Sequence, residues 1–128
     1  MNEEEAKASL ELAKRQLEKV QASWDDPTDW SDLSLYGFYC LENAVKAAAL
    51  HFNIAVSRKH FRKAQIADQL TQDFDLPDVS EFLKTLNSAR KAASYGDIDF
   101  PEGLGAEDTA SEIEAYVLAV SKLIEGVE

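Results

Sequence analysis

Residues 31–53 read SDLSLYGFYCLENAVKAAALHFN and are apolar on nearly every face of a helix. Such a segment belongs in the middle of a bundle or in a membrane. Its few polar residues decide between the two. Glu42 and Lys46 interrupt the run four residues apart, so no uninterrupted apolar span of about 18–20 residues is left. Glutamate before lysine is also the favourable order for an intrahelical charge pair. The stretch is therefore expected to be the central helix of a soluble bundle. Tyr39, Glu42, Lys46 and Asn53 form a narrow polar stripe along it. A carboxylate and an amine on an otherwise buried helix need partners.

The rest of the chain supplies helices to pack around this one. Over residues 2–24, Ala6, Leu10, Ala13, Leu17, Val20 and Trp24 recur in steps of four and three. That is the stripe of an amphipathic helix. Asn2 and Glu5 read as its capping box. Pro27, inside DDPTD, breaks the pattern, and Asp29 or Ser31 can cap the central helix. A short helix follows, with Ser57 as N-cap and Phe61, Ala64, Ile66, Ala67 and Leu70 as its apolar side. Residues 78–95 make the next helix, with Val79, Phe82, Leu83, Leu86, Ala89 and Ala93 inward. Residues 96–105, GDIDFPEGLG, are the clearest loop. Thr109 and Glu112 read as a capping box for the last helix, whose inner side is Ile113, Tyr116, Val117, Val120, Leu123 and Ile124. There is no strand-like alternation and no internal repeat. The expected fold is all-α: an up-and-down bundle of four long helices plus one short one, filling residues 1–128 as a single domain.

Thirteen basic against 24 acidic residues give a net charge of −11. That argues against general coating of nucleic acid, since phosphate contacts dominate such affinity. It leaves room for one local basic patch. Arg58, Lys59, His60, Arg62 and Lys63 are such a cluster, holding four of the thirteen lysines and arginines. The cluster is either a solvated face or an anion-binding surface. The one cysteine, Cys40, can form no intrachain disulfide, and histidines are too few for a zinc site. No metal or other cofactor is expected. The first residues, MNEEEAKASLELAK, are acidic where a signal peptide would be basic and then apolar. A cytoplasmic location without membrane attachment is the expectation.

The succession of Tyr36, Tyr39, Glu42, Ala44, Lys46 and Ala47, then SRKHFRKAQIADQL, then LNSARKAASYGD resembles HEPN domains, the "higher eukaryotes and prokaryotes nucleotide-binding" superfamily. The similarity covers roughly residues 33–97. It implies a helical bundle that works as a homodimer. It also implies either a nucleotidyltransferase partner or membership of a toxin–antitoxin or defence system, with nucleotide or RNA as ligand. Ribonuclease members of the family carry an arginine followed four to six residues later by histidine. Arg90 matches that arginine, but Tyr95 stands where the histidine belongs, and His51 and His60 both precede Arg90. Histidine titrates near neutral pH and tyrosine near 10. A metal-independent ribonuclease needs the former to move a proton. The resemblance thus points to a binding module rather than an enzyme, with no catalytic residue assigned. An atypical ribonuclease and a purely structural or regulatory helical protein are the alternatives.

The candidate ligand-binding residues are Glu42, Lys46, Asn87, Arg90 and Tyr95. Ser88, Ala89, Ala92 and Ala93 leave the Arg90 guanidinium room to fork onto an anion. Glu42 is its expected carboxylate partner if the two helices face each other. The same residues can equally be a structural network tying helices together. Tyr95 with Gly96 also reads as an aromatic helix end and its cap. Trp24 and Trp30 either pack over a bundle end or anchor a partner.

Overall fold

The computed structural model describes residues 3–23, 30–54, 60–94 and 105–126, and of residues 30, 31, 60–63, 92–94 and 106 the backbone alone. Among the described residues five helices follow one another: α1 Glu3–Ser23, α2 Trp30–His51, α3 His60–Phe74, α4 Ser80–Ser94 and α5 Ala106–Glu125. No strand occurs among the described residues, and the protein is all-α. None of these helices is long and apolar enough to cross a membrane.

α2 is the centre, and each of the other four helices packs on it. Leu33, Phe38, Cys40, Leu41, Ala44, Val45, Ala47, Ala48 and Ala49 are at most 1% exposed, a set that wraps the helix on most sides. The alanines let neighbouring backbones come close. Gly37 takes this furthest. A Cβ placed there would lie 2.8 Å from Ile113 Cδ1 of α5 and 3.7 Å from Leu86 Cδ1 of α4. Three helices therefore meet where one residue has no side chain.

α1 runs antiparallel to α2. Glu3 lies opposite His51, whose Nδ1 is 3.3 Å from both carboxylate oxygens. Further along, Cys40 Sγ donates to Ala13 O at 3.2 Å. α5 runs antiparallel to α1, with Lys14 donating to Glu125 Oε1 at 2.6 Å and Gln21 Nε2 to Glu114 Oε2 at 2.8 Å. The hydrogen bond from Lys14 holds the Glu125 carboxyl below its ordinary range, and the same bond raises Lys14. Both groups face solvent, so this clasp contributes little stability.

The inward stripes read from the sequence are largely the buried ones. Ala6, Leu10, Ala13 and Val20 of α1, Ala64, Ile66, Ala67 and Leu70 of α3, and Ile113, Tyr116, Val117, Val120 and Ile124 of α5 are all core. Trp24 and Ser57 lie outside the described residues, as does the Trp30 side chain.

The helix ends depart more from expectation. α2 stops in a Schellman motif: Ile54 N donates to Ala49 O and Asn53 N to Leu50 O, with Asn53 left-handed at φ 59°. α4 begins at Ser80 rather than 78, because the Asp78 carboxylate accepts from the Ser80 backbone N–H and hydroxyl. It is 15 residues long, the same as α3. The Thr109 capping box does not form. α5 already starts at Ala106 with Gly105 as N-cap, and the buried Thr109 hydroxyl donates back to Gly105 O at 2.8 Å. A threonine packed into the core one turn inside the helix satisfies itself on the preceding turn.

Tyr116 is fully buried, and its hydroxyl meets no hydrogen-bond partner among the described residues. Burial pushes the phenol above its ordinary range. A buried orphan hydroxyl costs about 1–3 kcal/mol, so Tyr116→Phe should stabilise the fold by about 1 kcal/mol. Thermal unfolding measures this. A less stable variant would mean that the hydroxyl is satisfied in solution.

Candidate functional site

Arg90 projects from the last turns of α4 onto α2. Its guanidinium carbon lies 5.0 Å from the Phe38 ring centroid and 5.6 Å from that of Tyr39. Both distances are in cation–π range. Nη2 donates to Asn87 Oδ1 at 2.6 Å, an i,i+3 contact along α4. Nε is sealed from solvent and has no hydrogen-bond partner among the described residues. No carboxylate among the described residues comes within ion-pair distance of Arg90.

Of the residues singled out from the sequence, Asn87 and Arg90 are therefore joined directly. Glu42 is buried and lies one helical turn beyond Phe38 on α2, and Lys46 is half-buried one turn further. They share the face that carries Phe38. The carboxylate expected for Arg90 was Glu42, but the guanidinium takes the neutral amide of Asn87 and two ring faces instead. Nor does Lys46 pair with Glu42 at ion-pair distance, despite the favourable spacing. Tyr95, Arg58 and Lys59 lie outside the described residues, and so do the side chains of His60, Arg62 and Lys63.

Sequence reasoning missed Phe38 as the bed for Arg90, because its apolar neighbours mark it only as core. It also missed the pairing of His51 with Glu3. That pairing follows once α1 and α2 are set antiparallel with their outer ends level.

A depression of about 350 Å³ lies between α4 and α5 and shares no residue with this site. Asp78, Glu81, Asp108 and Glu112 rim a floor that includes Phe82 and Thr109. Its acids have local work. Asp78 caps α4, Glu81 sits 3.6 Å from Lys84, and carboxylates in a first turn complement the helix dipole. No group of three or more His, Cys, Asp or Glu side chains among the described residues is placed to hold a metal ion.

No curated protein and no solved structure matches the chain significantly. The HEPN domain model does match, over residues 3–128, essentially the whole chain and well beyond the segment whose motifs suggested it. The five-helix all-α bundle centred on α2 is the fold of a chain that belongs to the HEPN domain family.

Proposed function

We propose that this protein is a non-catalytic nucleotide- or RNA-binding module in which Arg90 receives a phosphate. One observation carries the reading. In a chain of net charge −11, the Arg90 guanidinium is half-buried, laid on Phe38 and Tyr39, and hydrogen-bonded to a neutral amide rather than to an acid. An arginine kept for structure alone is commonly neutralised by a carboxylate. Lys46, on the face of α2 that carries Phe38, supplies a second cation. Arg58, Lys59, His60, Arg62 and Lys63 add attraction for a polyanion, and Tyr95 a hydroxyl. Family membership supports a nucleotide- or RNA-related role. HEPN domains commonly dimerise, so the working form proposed is a homodimer, beside a nucleotidyltransferase or within a toxin–antitoxin or defence system. Light scattering at micromolar concentration tests the dimer, and the mass of a single chain would reject it.

The binding test uses fluorescence anisotropy with a labelled single-stranded RNA, and thermal shift with ATP. Affinity should fall steeply with added salt. Arg90→Ala should weaken binding by about 1.5–3 kcal/mol, the scale of a lost charged hydrogen bond, and leave the fold intact. No cleavage of the RNA without metal is expected near neutral pH. Cleavage that disappears in Tyr95→Phe would make the protein an atypical ribonuclease. No binding at all, with a large loss of stability in Arg90→Ala, would make the cluster structural.

A further inference from the structure

Asn87 and Asp are the same shape, and the difference between them decides what Arg90 can do. The Asn87 side-chain oxygen lies 2.6 Å from Arg90 Nη2. An aspartate there could make the same contact with charge assistance, roughly twice as strong. Acid and arginine three residues apart on a helix also attract one another. In this chain acids outnumber bases by 24 to 13, yet the position holds the neutral isostere. The guanidinium is thereby oriented without being neutralised. Phe38 and Tyr39 lie under it in cation–π range, and Asn87 holds one end. With Nε sealed against the protein, the N–H bonds left for a ligand are those of Nη1 and the second hydrogen of Nη2. These terminal nitrogens present adjacent donors that match two oxygens of one phosphate.

We propose that Asn87 is a positioning residue that keeps the charge of Arg90 available, so that the site takes a phosphate end-on through the terminal guanidinium nitrogens. The proposal rests on the reading of Arg90 as the anion receptor. It assigns Asn87 no contact with the ligand.

The experiment measures RNA affinity, its salt dependence and the thermal midpoint for four variants. Asn87→Asp should keep or raise the midpoint, lower affinity at least about tenfold, and reduce the slope of log affinity against log salt by about one. Ala8→Asp adds the same charge at an exposed position on α1 and should change affinity by no more than about twofold. Asn87→Leu removes the acceptor but leaves the charge, so affinity should fall about three- to tenfold with the salt slope unchanged. Wild-type affinity in Asn87→Asp overturns the proposal, as does an equal loss in Ala8→Asp. If Asn87→Asp does not fold, Asn87→Leu decides: unchanged affinity overturns, and a loss at constant slope supports. Arg90→Ala separates the two levels. Wild-type binding in that variant removes Arg90 itself from the site, and with it the reading on which Asn87 depends.

Discussion

Ala48→Asp should unfold the protein, or cost it about 3–5 kcal/mol. Ala48 is 0% exposed in the helix on which all four others pack. Its neighbours along α2, Ala44, Val45, Ala47 and Ala49, are each also 0% exposed, so the new carboxylate would be buried with them. No basic side chain among these could neutralise it, and a charge left buried and unpaired is among the most damaging single changes. Ala8→Asp, at an exposed position on α1, is the control and should stay within about 0.5 kcal/mol of the parent. Urea unfolding followed by circular dichroism measures both. If Ala48→Asp is as stable as the parent, α2 is not the centre of the bundle.

Gly37→Leu should cost about 3 kcal/mol, for the opposite reason. The space is missing rather than the partner. The first added carbon already lies 2.8 Å from Ile113 Cδ1, and Leu86 closes the other side. Three further carbons would force α5 or α4 away from α2, and overpacking of a tight core costs about 1–3 kcal/mol or more. Gly37→Ala should come out near neutral. Its single methyl displaces only the far end of the Ile113 side chain, while alanine gains about 1 kcal/mol over glycine in a helix. The pair Gly37→Leu with Ile113→Ala should recover part of the loss, because the truncation opens the volume that leucine needs. Equal stability of Gly37→Leu and its parent would show that the three helices are not held this close.

The fold was legible because burial repeats along each helix. Ala6, Leu10 and Ala13, or Ile113, Val117 and Val120, can be read as core from spacing alone. Helix ends were less legible, since several residues compete for one task. Thr109 has the side chain of an N-cap, but Gly105 starts the helix four residues earlier. Candidate residues could be named from the sequence, but not their pairing. Arg90 stands out by its small neighbours, and Asn87 by its position one turn before. That Arg90 would choose Asn87 and the Phe38 ring over Glu42 depends on the angle and height at which α4 crosses α2. Local periodicity does not encode those quantities. The contact between His51 and Glu3 is legible only through topology, because the two residues are 48 positions apart.

The lone thiol has a practical consequence. Cys40 is wholly enclosed between α1 and α2, donates to Ala13 O, and is pushed up to about 12 by burial. The thiolate is the form that attacks alkylating reagents, so the closed protein should be inert to them. Reaction then waits until α1 lifts away. The rate of alkylation by iodoacetamide becomes a clock for that opening event, built into the unmodified chain. It can report how often the seam parts in the native state, and whether added nucleotide changes it, without any mutation.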